Sequence, residues 1–132
     1  MRVDRSSPRD RRETRNGLKN FELQVIKAMA CDVLSDEMLN ELANPGIPVV
    51  YEYTGCGYFV TVEHGALPAV ERTLSVPPLV GSLGEVVCGF VVYLGKHELT
   101  LEIHEWGPFS VTNDFRESDV VVRDPMPCDL DK

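Results

Sequence analysis

Apolar residues recur every three or four positions between residues 20 and 43, which is the spacing of helices that bury one face. The buried stripe that this spacing predicts comprises Phe21, Val25, Met29, Leu39 and Leu42. Ser35, followed by two acidic residues, is typical of a helix start, because a serine can accept a backbone N–H and acids suit the positive end of the helix dipole. The Asn-Pro-Gly segment at 44–46 ends the pattern. We therefore expect two short helices.

Beyond residue 47 the pattern changes to β-branched and aromatic residues separated by glycine and proline, which is typical of strands. Six candidate strands cover residues 48–54, 57–63, 71–76, 85–94, 98–105 and 119–123. Residues 85–94 are apolar on both alternating faces, which predicts a central strand covered on each side. Helices followed by strands favour an α+β fold. The predicted architecture is two short N-terminal helices packed on a five- to six-stranded, mainly antiparallel sheet.

The two ends of the chain lack such patterns. Only Met1 and Val3 are apolar in residues 1–16, so this segment cannot bury enough surface to offset the entropy lost on ordering. We expect residues 1–16 to be a disordered basic arm, residues 17–125 to be a single α+β domain and residues 126–132 to be a C-terminal tail. A length of 132 residues excludes a large enzyme with separate cofactor and substrate lobes.

The formal net charge of −8 is distributed unevenly along the chain. Residues 1–20 carry seven basic and three acidic side chains, whereas the remainder carries six basic and eighteen acidic ones. Such an acidic body repels a phosphate backbone, so we expect no general nucleic-acid binding by the domain and favour a basic protein partner. The arm is either a solvated tail or an arginine-rich strip that touches nucleic acid or an acidic surface.

The chain contains no run of 18 apolar residues, so we expect no membrane span. A charged, polar stretch stands near the N-terminus where a secretory signal needs an apolar region. The four cysteines, Cys31, Cys56, Cys88 and Cys128, lack the close paired spacing of a zinc ribbon or a redox Cys-x-x-Cys motif. Reduced thiols and a cytoplasmic location are therefore expected.

Two segments carry a resemblance to other proteins. Residues 53–59 read Tyr-Thr-Gly-Cys-Gly-Tyr-Phe, an aromatic-Thr-Gly-x-Gly-aromatic-Phe pattern, and residues 88–94 read Cys-Gly-Phe-Val-Val-Tyr-Leu. Together with the strand at 99–103, they resemble the hallmark of a family of small, uncharacterised bacterial α+β proteins. The resemblance covers roughly residues 21–106 and implies a shared compact scaffold without an established activity. The glycines at 55, 57 and 89 independently predict turns or close approaches of the backbone.

A metal site is the most tempting chemistry, since Glu102, His104 and Glu105 lie close together in sequence and imidazole and carboxylate suit zinc or iron. On a strand, however, Glu102 and His104 share one face while Glu105 points to the other. A distant ligand, His64, His97 or Cys56, would have to complete the set. We therefore assign no metal ligands and no cofactor.

Nucleophilic catalysis would need Cys56 or Cys88 beside a histidine. Cys56 lies in a predicted turn without a catalytic signature around it, and Cys88 lies in the most apolar strand, where a small core residue is expected. We assign no catalytic residues.

Alternation along three strands predicts a shared polar face instead. If the apolar positions of strand 98–105 face the helices, its polar positions face away, and the same applies to strands 48–54 and 57–63. If these three strands are neighbours, an acidic outer sheet face results, comprising Glu52, Thr61, Glu63, Thr100, Glu102 and His104. Trp106, in the following loop, is either a core residue or an interface anchor, since tryptophan is enriched at binding hot spots. The predicted partner-binding residues are Glu52, Glu63, Glu102, His104 and Trp106.

These observations favour a protein-interaction module, not an enzyme, whose acidic surface binds a cationic protein. An immunity-type inhibitor of a basic toxin is its most concrete form, because opposite charges steer the two surfaces together. The alternative is a small-ligand-binding or metal-dependent enzyme with a site between the helices and the sheet. A deep pocket that gathers Glu102, His104 and Cys56 would favour the enzyme, and a flat acidic surface would favour the interaction module.

Overall fold

The computed structural model of the protein describes residues 12–123. Most of the predicted arm, residues 1–11, and the predicted tail, residues 126–132, lie outside the described residues. The last five residues of the predicted arm differ from the expectation, because Arg12–Asn16 forms a strand.

Two α-helices and eight β-strands make up the described chain. In chain order they are β1 (Arg12–Asn16), α1 (Asn20–Ala30), α2 (Asp36–Leu42), β2 (Pro48–Tyr53), β3 (Gly57–Glu63), β4 (Arg72–Leu74), β5 (Val80–Leu83), β6 (Val86–Gly95), β7 (Glu98–Glu105) and β8 (Val121–Arg123), with a short 3₁₀ helix (Phe115–Glu117) before β8. The strands form one antiparallel sheet in the order β1-β2-β3-β7-β6-β5-β8, and β4 also pairs with β6. The α+β class is confirmed. The expected five to six strands are too few, and the helices follow a first strand instead of opening the fold.

The additional strand β1 has no apolar pattern that would reveal it. It pairs in antiparallel register with β2, so backbone hydrogen bonds to a partner strand order it, without an apolar face of its own. Arg15 adds a contact from its side chain, since its guanidinium lies 4.6 Å from the centroid of the Tyr51 ring. Hydrophobic periodicity therefore does not predict an edge strand of this kind.

The sequence pattern does not predict the additional strand β5, because this strand contains a glycine. Gly81 packs so closely on β6 that a Cβ there would lie 2.7 Å from Phe90 Cζ and 2.8 Å from Cys88 Sγ. The glycine therefore stands where the sheet leaves no room for a side chain, whereas in the sequence it resembles a turn signal.

Both helices use the predicted stripe, all five residues of which are buried. Ser35 caps α2 as expected, because its Oγ accepts the backbone N–H of Met38 at 3.1 Å. Helix α1 also buries Ile26 and Glu22, so its buried face is wider than the periodicity indicates. Neither helix is long enough to cross a bilayer, since the longer has 11 residues and a span needs about 20.

The helices pack on one side of the sheet, here called the inner face. Its fully buried side chains include Tyr58, Val60, Leu101 and Ile103, which join the helical stripe in one core. On the opposite side, here called the outer face, the side chains of β2, β3 and β7 are half-buried or exposed. Strand β6 is an interior strand, but Tyr93 on its outer side is 39% exposed, so the expectation that it is covered on each side is wrong.

Candidate interaction surface

The sheet register brings together polar residues of three neighbouring strands on the outer face. Glu52 on β2 lies opposite Phe59 on β3, and Phe59 lies opposite Glu102 on β7. Directly opposed residues of antiparallel strands share a face, with Cβ atoms about 4.5–5.5 Å apart. The half-buried Phe59 ring therefore has a glutamate on its neighbouring strand on each side.

A second row of the same face places two acids against each other. Glu63 at the end of β3 lies directly opposite Glu98 at the start of β7. Within residues 12–123, neither carboxylate makes a hydrogen bond or an ion pair. Like charges directly opposite each other destabilise a sheet, so we expect this pair to cost stability in the free protein.

Between these rows, hydroxyl groups bridge the strands. Thr61 and Thr100 lie opposite each other and share a hydrogen bond of 2.9 Å between their hydroxyl oxygens. The Tyr93 hydroxyl donates to Glu102 Oε1 at 2.8 Å. That hydrogen bond raises the pKa of Tyr93, because it stabilises the protonated phenol beside a carboxylate.

A groove of about 500 Å³ runs along this surface. Its lining comprises Pro48, Val50, Glu52, Phe59, Thr61, Glu63, Glu98 and Thr100. A neighbouring groove shares Glu98 and Thr100 with it and is bordered by Arg72 and Lys96, which mark the limit of the acidic region. We call Glu52, Glu63, Glu98 and Glu102, with Phe59 between them, the acidic outer face.

The strands that carry the acidic outer face supply only negative charge to it, and the backbone of Arg12 on the neighbouring strand β1 lies opposite Glu52 at its edge. Strands β2, β3 and β7 lie entirely within the described residues and contain four glutamates that point outward and no lysine or arginine. The residue types with the greatest attraction for this surface are therefore basic ones.

His104 shares the outer face with Glu102 but is packed into the sheet. A Cβ at Gly89, its partner on β6, would lie only 2.6 Å from His104 Nε2, so the glycine leaves the space that the imidazole fills. The Nδ1 atom is buried and has no hydrogen-bond partner among the described residues. Gly57 lies opposite His104 on β3 and is also a close approach, since a Cβ there would meet the carbonyl oxygen of Ile103 at 2.0 Å. The close approaches expected at these two glycines are confirmed.

Trp106 lies beyond the end of β7 and is 54% exposed, which excludes the core position left open by the sequence. Its backbone N–H donates to the carbonyl of Val87 at 2.8 Å and extends the pairing with β6 by one residue. Glu98 starts β7, so the strand separates Trp106 from the Glu63–Glu98 pair by roughly 25 Å. The five predicted partner-binding residues therefore lie along the length of one surface and do not form a single cluster.

Two residues of the acidic outer face, Glu98 and Phe59, are not among the predicted partner-binding residues. Glu98 has the same alternation as Glu102 on β7, so the sequence pattern contains the signal for it. Phe59 has an outward position by the same rule, but its place between Glu52 and Glu102 depends on the strand order.

The backbone of Cys56 adjoins that of Glu105, whose N–H donates to the Cys56 carbonyl at 3.0 Å, but the side chains considered for catalysis do not converge beneath the helices. Glu102 and His104 face away from the helices, Cys56 is exposed in the turn between β2 and β3, and Glu105 Oε1 accepts the backbone N–H of Val111 at 3.3 Å. Among residues 12–123, no group of three or more His, Cys, Asp or Glu side chains is arranged to hold a metal ion. Burial raises the pKa of the Cys88 thiol to about 12, which disfavours the reactive thiolate.

No protein-family model, no curated protein and no solved structure matches this chain. The functional proposal therefore rests on the geometry of the acidic outer face.

Proposed function

We propose that this protein is an interaction module whose acidic outer face binds a basic segment of another protein. The observation that carries the proposal is the opposition of Glu63 and Glu98 on neighbouring strands, at the end of a groove that also contains Glu52. The two carboxylates repel each other in the free protein. A cation placed between them would attract both and offset this repulsion.

Phe59 gives the surface a preference among cations. An arginine guanidinium is planar, stacks on an aromatic face and can pair with carboxylates at the same time. Phe59 with a glutamate on each neighbouring strand offers both kinds of contact. We therefore propose arginine as the principal group that the acidic outer face recognises.

The narrowest form of the proposal is an immunity-type inhibitor, whose acidic face covers the cationic surface of a basic toxin. The alternative, an enzyme with a site between the helices and the sheet, gains no support from the placement of Glu102 and His104. Both lie on the outer face, and the space below the helices is filled by buried side chains such as Leu101 and Ile103.

The test uses the full chain and a synthetic nonapeptide of alternating arginine and glycine, with a glutamine-for-arginine peptide as the neutral probe. We expect the arginine peptide to bind with an affinity that falls steeply as salt rises, because ions screen exposed charges. In a variant combining Glu63→Gln, Glu98→Gln and Glu102→Gln, the affinity should fall about tenfold, since each exposed ion pair contributes about 0.2–1 kcal/mol. Isothermal titration calorimetry measures both effects.

A matched control removes the same charge elsewhere. Glu37, Glu41 and Glu85 are exposed and belong to α2 or to the turn between β5 and β6, so their replacement by glutamine changes the net charge equally without touching the acidic outer face. If both triple variants bind the arginine peptide equally weakly, the loss of affinity depends only on net charge, which would contradict the proposal. A lysine peptide that binds as tightly as the arginine peptide would contradict the role of Phe59.

A further inference from the structure

We infer that residues 1–11 of this chain bind the acidic outer face of their own molecule and compete with the basic partner for it. The choice of surface rests on the proposed function, and the inference adds a regulator that the chain itself supplies.

The charge of the segment complements that of the surface. Residues 1–11 contain four arginines, Arg2, Arg5, Arg9 and Arg11, against two aspartates, which gives them a net charge of +2. The remaining residues carry a net charge of −10. All basic residues of the segment are arginines, the type that both carboxylates and the Phe59 ring bind best.

The point where the segment joins the sheet lies in the same row as the carboxylates. Strand β1 begins at Arg12, whose backbone lies opposite Glu52, and that row continues through Phe59 to Glu102. Three strand spacings, about 14 Å in total, separate β1 from β7. Eleven residues can extend to about 36 Å, so the segment is long enough to reach every glutamate of the acidic outer face.

Covalent attachment favours the same molecule over a second copy. A short tether gives its two ends an effective concentration in the millimolar range, well above that of a second molecule in a dilute solution. Each second copy also brings a body with a net charge of −10, which repels the first. The segment therefore competes with the partner as an intramolecular ligand. The apparent affinity for the partner equals the intrinsic affinity multiplied by the fraction of molecules whose face is unoccupied.

The first measurement is the rate at which trypsin cleaves the full chain after Arg5, followed by mass spectrometry of the released N-terminal peptide. Cleavage of a segment that binds reversibly tracks the population of its unbound form, so at about 10 mM salt we expect at least about threefold slower cleavage than in the Glu63→Gln, Glu98→Gln, Glu102→Gln variant. At about 1 M salt, where the screening length is about 3 Å, the difference should vanish. The Glu37→Gln, Glu41→Gln, Glu85→Gln variant is expected to be cleaved as slowly as the unaltered chain.

The second measurement is competition with the arginine-glycine nonapeptide. A full chain in which the four arginines of residues 1–11 are replaced by glutamine should bind the nonapeptide at least about threefold more tightly than the unaltered chain, because the competitor is removed. Weaker binding by this variant would overturn the inference.

The outcomes separate this inference from the proposed function. Equal cleavage rates in the unaltered chain and both triple variants would overturn the inference, while the loss of nonapeptide binding in the outer-face variant would still support the proposed function. If protection from trypsin rises with protein concentration, the segment binds a second copy of the chain, and this result would also overturn the inference. Protection of the unaltered chain, together with no binding of the nonapeptide by the variant whose four arginines are replaced by glutamine, would contradict the proposed function and leave the intramolecular contact supported.

Discussion

Glu22 on α1 and Arg116 in the 3₁₀ helix, 94 residues apart in sequence, form a two-pronged ion pair in the core. Arg116 Nε donates to Glu22 Oε2 at 2.7 Å and its Nη2 donates to Oε1 at 3.0 Å. The Tyr58 hydroxyl and the backbone N–H of Lys19 donate to the same carboxylate at 2.6 and 2.8 Å. Burial, together with the nearby Glu22 carboxylate, raises the pKa of Tyr58 well above its ordinary value. The pair ties the first helix to the last segment of the described chain.

Removal of one charge of this pair should be costly, because Glu22 is 0% exposed. Arg116→Met leaves the carboxylate buried without its cation, and we expect the free energy of unfolding to fall by about 3–5 kcal/mol. Urea denaturation measures this change. A double variant with Glu22→Leu and Arg116→Met removes both charges and should be more stable than Arg116→Met alone. A double variant that is less stable than either single one would contradict this account of the pair.

Removal of one charge from the opposed pair on the outer face should have the reverse effect. Glu63→Gln relieves the repulsion from Glu98, so the free energy of unfolding should rise by about 0.2–1 kcal/mol. The gain should shrink at high salt, which screens exposed charges. Glu37→Gln is the control, because Glu37 lies in the first turn of α2, where a negative charge is favourable, and its loss should lower stability slightly. A decrease in stability on Glu63→Gln would show that the opposition carries no cost.

The strand β1 predicts different stabilities for two truncated chains. A chain that starts at Gly17 loses the pairing with β2 and the contact of Arg15 with Tyr51, so its melting temperature should fall by several degrees. A chain that starts at Arg12 keeps both and should melt at the temperature of the full chain at about 1 M salt, where the contact of residues 1–11 with the acidic outer face is screened. Differential scanning calorimetry of the two chains tests whether the structural boundary lies at residue 12 or at residue 17. Identical melting of both chains would show that β1 contributes nothing to stability.

Phe90 on β6 is buried in the core and is in contact range of the Gly81 backbone. Phe90→Ala should lower the free energy of unfolding by about 3–5 kcal/mol, because it removes a buried ring and leaves a cavity. Phe109, which is 46% exposed, provides the control, and Phe109→Ala should have a much smaller effect. Equal costs for the two substitutions in urea denaturation would contradict the placement of the core.

The thiols of the described chain should differ in their reactivity, because Cys88 is buried and the other two are exposed. Burial raises the pKa of Cys88 to about 12, so at pH 7–9 its thiol stays protonated, whereas Cys31 and Cys56 are exposed. Because the folded pKa lies above the unfolded one, the stability linked to this thiol is complete below the unfolded pKa, about 8.5, and is lost as pH rises through about 12. We expect iodoacetamide to modify the exposed Cys31 and Cys56 at pH 9 while Cys88 remains unmodified, as measured by peptide mass spectrometry. Modification of Cys88 in the native protein at a rate equal to that of Cys56 would contradict its burial.

The sequence by itself determines the features that depend on near neighbours. The stripe of α1 and α2 follows from helical periodicity, and the cap at Ser35 follows from the chemistry of a free helix end. Strand alternation is equally local, so it places Glu102 and His104 on one face of β7 and Glu63 on the outward side of β3. These features need no knowledge of which strands lie side by side.

Only the tertiary structure decides which residues face each other across strands and between elements. Glu63 meets Glu98 because β3 and β7 are neighbours in a particular register, and a shift of one residue would separate them. Glu22 resembles a solvated helix acid in the sequence until Arg116, distant along the chain, supplies the charge that allows its burial. Strand β1 forms through backbone hydrogen bonds to β2, which every non-proline residue can make, so its side chains carry no signal of it. Long-range pairing of this kind depends on the free energy of the whole fold, and a local pattern does not contain it.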